Sequence, residues 1–318
     1  MGKEHNKKRR NVVLDWLGYA GLRVLVGFLG LFPIRANLRT ACFLGRLLWK
    51  YYHRGRLRAL ENLQASFPDH DLAWCTQVGR RSFEQLVMLV MDILFTPRLV
   101  HRENYKDYAK FHNIEDLKWR MKSGPGMILV TGHYGNFEIV GYMLGLFGFD
   151  IYSIARPLDN PFISRWLYGV RQRKGQKIVD KKGATEQMET ILVQGSTLGF
   201  IADQDAGKKG LFVNFFGRKA STYKSIGLLA IQYNLPVCVG YSRRRGNEFF
   251  FDLGVSRMIL PGEWAEKEKP LEWLTQEYTA AIEGFIREDP TQYWWIHRRW
   301  KTRPKEERRA KEATGKID

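Results

Sequence analysis

The hydrophobic pattern changes character near residue 124. Before that point apolar positions recur at helical spacing. Val78, Phe83, Leu86, Val87, Val90 and Leu94 would share one face of a helix over about 71–95, which Pro97 is expected to stop. Another helix is expected over 36–52, and Pro68-Asp69 marks a break between the two. After residue 124, short apolar runs without polar alternation take turns with helical patterns. Such runs read as strands buried on both faces, and strand–helix alternation builds a mostly parallel sheet flanked by helices. The fold class expected is α/β, preceded by a helical N-terminal region.

In that second part, strands are expected at 127–130, 151–155, 177–179, 197–202, 236–241 and 249–255. Helices are expected from Phe137, from Asn160-Pro161, over 185–193 and 222–233, and over about 271–287. The N-terminus adds a different signal. Residues 12–34 are apolar apart from Asp15 and Arg23, and they follow Lys3, Lys7, Lys8, Arg9 and Arg10. About 20 apolar residues cross a bilayer. No small-residue cleavage site follows, so an uncleaved anchor is expected, spanning or lying in the interface, with its basic flank cytoplasmic. An amphipathic helix packed on the domain itself is the other reading. The expected organisation is a basic flank and anchor (1–35), a helical region (36–123), a catalytic α/β core (124–304) and a charged tail (305–318).

Charge narrows the partners. The chain has 51 Lys and Arg against 33 Asp and Glu, a net +18. That excess favours nucleic acid, anionic lipid headgroups or an acidic carrier protein. Ten Trp and 19 Phe lean toward lipid. The basic residues are dispersed and no nucleic-acid-binding signature appears, so no nucleic acid is expected. Cys42, Cys75 and Cys238 are far apart, which fits a reducing compartment and no zinc site. No G-x-S-x-G, P-loop or G-x-G-x-x-G occurs. His5, His53, His70, His101, His112 and His297 lack metal-ligand spacing, and no metal or cofactor is expected.

The candidate chemistry lies at 126–144. His133 falls where the strand at 127–130 gives way to a helix capped by Asn136, and this carboxyl edge is where ligands bind in open α/β sheets. Glu138, in the first helical turn, could return under the imidazole across the Gly132–Gly135 turn. A carboxylate on one ring nitrogen would leave the other free as a base. The same pattern also fits a capped helix carrying a surface His and Glu. Backbone N–H groups around Gly135 and Asn136 are the expected oxyanion donors.

His-Tyr-Gly-Asn-Phe-Glu, residues 133–138, resembles the H-x-x-x-x-E active-site motif of the lipid A late acyltransferases, the lauroyl or myristoyl acyltransferases. These are relatives of the glycerolipid acyltransferases, which carry Asp in place of Glu. Asn160-Pro161 followed by Arg171, Ala202-Asp203-Gln204, Phe215-Phe216-Gly217, Ala220-x-Thr222 and the stretch 293–304 also resemble that family, in its order.

The resemblance implies acyl transfer from a thioester to a hydroxyl, with His133 and Glu138 as the catalytic pair and no covalent enzyme intermediate. It implies that Arg171 binds phosphate or helps the oxyanion, with helix-dipole complementation as its structural alternative. Arg156, at a strand's carboxyl end, is a second substrate-binding candidate. Asp203 would brace a loop or touch substrate. Phe215 and Phe216 would wall an acyl groove or simply fill core. The implied donor is an acyl carrier protein, and the acceptor a phosphorylated glycolipid, a lipid A precursor. The implied location is the bacterial inner membrane, on an anionic surface, with the catalytic domain cytoplasmic. A different lipid acceptor, such as a phosphatidylinositol mannoside with acyl-CoA as donor, is the alternative. So is a non-catalytic basic membrane- or nucleic-acid-binding protein.

Overall fold

The computed structural model describes residues 11–180 and 184–307. Its first elements are four helices: α1 (Val12–Leu29), α2 (Ile34–Tyr51), α3 (His53–Ser66) and α4 (Leu72–Leu99). The buried positions of α2 are Asn37, Leu38, Ala41, Cys42, Gly45 and Trp49, a single stripe at helical spacing that packs along α4. The basic residues expected at 1–10 lie outside the described residues, as does most of the tail. α4 runs through Pro97 rather than stopping before it. Proline removes only its own N–H and one ladder bond. Two residues from the helix end, that loss is offset by burial of the turn against the core around Met91 and Phe95.

The chain then alternates: β1 (Ala109–His112), α5 (Glu115–Ser123), β2 (Met127–Thr131), α6 (Phe137–Leu146), β3 (Ile151–Ala155), α7 (Pro161–Arg171), β4 (Lys177–Asp180), α8 (Ala184–Val193) and β5 (Thr197–Ile201). A hairpin follows, β6 (Leu211–Phe215) and β7 (Arg218–Thr222), then α9 (Lys224–Gln232), β8 (Val237–Arg244), β9 (Phe251–Ile259), α10 (Pro261–Ala265) and α11 (Pro270–Glu288). Seven strands form one sheet in the order β1-β9-β8-β2-β5-β3-β4. Every pair is parallel except β8 with β9. The sheet therefore reaches back before residue 124, because β1 pairs with β9 from within the region read as helical.

β2 shows why its run is uniformly apolar. Ile128 and Val130 enter the cluster built with α9 and α11, while Met127 and Leu129 enter a second one with Leu117, Ile151 and Cys238. Successive side chains point to opposite faces, so a strand covered on both sides has no polar position. All five residues are buried.

α1 buries none of its residues, and among the described residues it is the helix long and apolar enough to cross a membrane. It is nevertheless fastened to α7. Asn160 Nδ2 donates to the Asp15 carbonyl at 2.7 Å, Tyr19 stacks on Phe162, and the Arg23 guanidinium lies 5.7 Å from the Trp166 ring centroid. Val13, Leu17, Val24 and Phe28 stay exposed on α1, and Phe43, Leu44 and Leu48 stay exposed on α2.

Candidate active site

β2 and β5 are parallel neighbours, with Thr131 opposite Ile201. One more ladder bond, Ala202 N–H to the Thr131 carbonyl at 2.9 Å, carries the register past the strand ends. His133 and Asp203, each two residues beyond its strand, consequently meet at the carboxyl edge of the sheet. Asp203 Oδ1 lies 2.7 Å from His133 Nδ1, and Oδ2 accepts the His133 backbone N–H at 2.9 Å. Both side chains are buried. Burial by itself would raise the Asp203 carboxyl. The His133 ring, its hydrogen bonds and the nearby His297 outweigh that and hold it well below the usual carboxylate range. An ionised Asp203 requires the proton on Nδ1, which leaves the Nε2 lone pair as the basic site. The Gln204 side-chain amide stands 3.5 Å from Nε2.

The expected partner of His133 is thereby corrected. Glu138 does not turn back under the imidazole. It faces the end of α7 and accepts both arms of Arg171, from Nε at 2.8 Å and from the neighbouring guanidinium nitrogen. The reason is local. Asn136 caps α6 with Oδ1 on the Ile139 N–H at 3.0 Å, and this sets the helix leaving the sheet edge with Glu138 directed toward α7. The nitrogen facing Asp203 is already satisfied.

A second correction concerns the oxyanion. The Gly135 N–H is occupied by the Gln292 carbonyl at 3.0 Å. Gly135 has φ +52°, and a Cβ there would come within 1.9 Å of the Ser242 carbonyl oxygen. Its glycine serves close backbone approach. The Asn136 side-chain Nδ2 is buried, with no hydrogen-bond partner among the described residues. Arg156 is exposed just after β3, and among the described residues no hydrogen bond or ion pair joins it to His133, Glu138 or Arg171. Phe215 and Phe216 are core, packed on Trp300, Tyr293 and Trp295.

The stretch 292–300 closes over the histidine. Trp294 N–H donates to the His133 carbonyl at 3.2 Å, and Tyr134 bridges to Tyr293. The His133 ring sits among Phe137, Trp294 and His297, with centroids 5.1, 4.8 and 4.5 Å away. Burial first, and the His133 charge next, push His297 down to about 4, so it is neutral near pH 7. Arg299 anchors this strap, donating to the carbonyls of Gln204 at 3.1 Å and Ser221 at 2.6 Å and to Thr222 Oγ1 at 2.6 Å. His133, Asp203 and His297 have ligand atoms within 4.8 Å of one another, a set that could in principle hold a metal ion. Both Asp203 oxygens are taken by His133, however, so the hydrogen-bonded pair accounts for the cluster without one.

Asp203, Trp294 and His297 surround the base, and sequence reasoning left their roles open. The signal for Asp203 was available: like His133, it stands just beyond an uninterrupted apolar run.

The sequence pattern of the family described as bacterial lipid A biosynthesis acyltransferase matches residues 2–302. The chain is 26% identical over 299 residues to the lipid A biosynthesis lauroyltransferase of Escherichia coli (strain K12), covering 92% of each chain. It is 24% identical to the lipid A biosynthesis palmitoleoyltransferase of the same strain, covering 91% of this chain and 92% of that one. It is 23% identical to a lipid A biosynthesis acyltransferase of Haemophilus influenzae (strain ATCC 51907 / DSM 11121 / KW20 / Rd), over 91% and 87%. The match over residues 2–302, in a chain whose α/β sheet presents a carboxylate-held histidine at its ligand edge, makes this protein a member of the bacterial lipid A biosynthesis acyltransferase family.

Proposed function

We propose that the protein transfers a fatty acyl chain from an acyl thioester, carried by an acidic acyl carrier protein, to a hydroxyl of a phosphorylated glycolipid, a lipid A precursor. The Asp203–His133 pair carries this reading. His133 Nε2 takes the proton of the acceptor hydroxyl as its oxygen attacks the thioester carbonyl. A C–O bond forms, and a tetrahedral oxyanion results. Its collapse breaks the C–S bond, and the thiolate leaves with the proton from His133, returning Nε2 to the neutral state. Asp203 stabilises the imidazolium between the two steps and keeps Nδ1 protonated. Relatives named for lauroyl and palmitoleoyl transfer in lipid A biosynthesis support the substrate class.

Arg171, held by Glu138 at the edge of the same helix start, is the proposed phosphate contact. The exposed apolar faces of α1 and α2, beside exposed Arg35, Arg39 and Lys50, support attachment to an anionic inner-membrane surface with the active site on the cytoplasmic side. The +18 charge suits an acidic carrier. The test is to incubate the purified protein with an acyl-carrier-protein thioester and a phosphorylated lipid A precursor and to weigh the lipid product. A mass gain of one acyl group is expected. Its absence from folded protein, with the acyl-CoA thioester tried as well, would defeat the reading.

A further inference from the structure

Asn136 does more than cap a helix. Its Oδ1 accepts the Ile139 N–H, and that bond fixes which way the amide lies, since the reverse orientation would set NH2 against N–H. Nδ2 therefore faces away from α6. It is buried and has no partner among the described residues, and Asn136 is 1% exposed. Capping alone does not ask for this. Asp would supply the same acceptor without any donor, and a buried unpaired donor costs about 1–3 kcal/mol.

Asn136 lines a small crevice between α4, α6 and α7, with a cavity volume of about 20 Å³, room for a single small group. Ile93, Pro97, Ile139, Tyr142 and Val170 give it an apolar wall, and Gln176 and the Glu138–Arg171 pair also border it. Thr96 lines it from α4, 4% exposed, and its Oγ1 likewise has no partner. Two neutral hydroxyl or amide groups without partners thus border one apolar crevice that begins three residues from the base. Neutral donors among apolar side chains suit a carbonyl oxygen on a hydrocarbon chain. A phosphate would be drawn to the guanidinium instead.

We propose that the Asn136 side-chain amide, with the Thr96 hydroxyl in the same crevice, receives the carbonyl oxygen of the acyl thioester and stabilises the oxyanion formed there. This takes over the role that the occupied Gly135 N–H does not fill. It rests on the acyl-transfer reading. The proton and bond changes are those of that reaction; Asn136 adds hydrogen bonding that strengthens as the oxygen becomes negative.

The test measures steady-state transfer from an acyl-carrier-protein thioester by full-length Asn136→Ser and Thr96→Val proteins in detergent. Serine retains a cap acceptor, and valine retains the shape of threonine. In Asn136→Ser, kcat should fall by about 10²–10³-fold, the effect of removing one oxyanion donor. The donor KM should stay within about threefold of wild type, and the melting temperature should hold, because no bond made by Nδ2 is lost. Thr96→Val should lower kcat in the same sense, and it reports on the crevice even if the Asn136 variant fails to fold. Full kcat in both folded variants would mean that a buried water alone occupies the site, and it would overturn the proposal. So would a raised KM at unchanged kcat. Wild-type protein that transfers no acyl group would instead overturn the acyl-transfer reading itself, so the two failures are distinguishable.

Discussion

At neutral pH Asp203 is ionised, and its contact with Nδ1 leaves Nε2 of His133 as the proposed base. Asp203→Asn preserves shape but removes the charge that stabilises the imidazolium and fixes the tautomer. A loss in kcat of about 10²–10⁴-fold is expected, with folding intact by circular dichroism. Wild-type turnover in that variant would leave His133 without an orienter. Glu138 is paired with Arg171. Glu138→Gln and Arg171→Lys should each lower kcat/KM, and the double variant should be little worse than either, because both changes break one bidentate pair. Additive losses would make the pair incidental.

His297 gives a pH signature. Its folded pKa, about 4, lies below the usual ~6.5, so between those values the unfolded chain binds more protons. Stability should therefore rise with pH across that window, by at most about 3 kcal/mol from this group, and level off above it. In His297→Gln protein, the melting temperature should drop less on acidification from pH 6.5 to 4 than it does in wild type. Of these residues, His133 and Glu138 were legible in the sequence because they share one turn. The pairing of His133 with Asp203 was not, since 70 residues separate them and only strand register brings them together.

Elements were legible where burial is two-sided. The apolar runs at β2 and β5, and the caps Asn136 and Asn160, all fall where the pattern put them. β1 escaped notice because Ala109–His112 sits at the sheet edge and mixes polar with apolar residues. The hairpin β6–β7 is not among the expected strands, for its second strand, Arg218–Thr222, begins with two basic residues. The start of α6 tolerates no side chain at Gly135: Gly135→Ala should yield unfolded or inactive protein, measured by its melting transition, because the Ser242 carbonyl fills the space. α1 supplies the other element-scale expectation. Deleting residues 1–32 should weaken co-sedimentation with anionic vesicles without abolishing it, since Phe43, Leu44 and Leu48 on α2 remain. Unchanged sedimentation would remove α1 from membrane attachment. The deletion should also slow turnover, because α1 braces the helix that carries Arg171.

Across the whole molecule, the active site is an assembly of distant segments. The end of β2 supplies His133, the end of β5 its carboxylate, α6 and α7 the Glu138–Arg171 pair, and the strap at 292–300 the walls around the imidazole. The strap has a further consequence for how the protein is made. A ribosome finishes the sheet, α1, α2 and the His133–Asp203 pair before it reaches Trp294, His297 and Arg299. A nascent chain paused after Asp289 would already expose α1 and α2 to lipid, yet its histidine would lie open to water, and Gly135 would lack the Gln292 carbonyl that orders the turn. Attachment to the bilayer would then precede catalytic competence in the order of synthesis. Chains released at that point, assayed on vesicles, should bind lipid and transfer no acyl group, so that premature termination yields a silent membrane passenger rather than an unregulated enzyme.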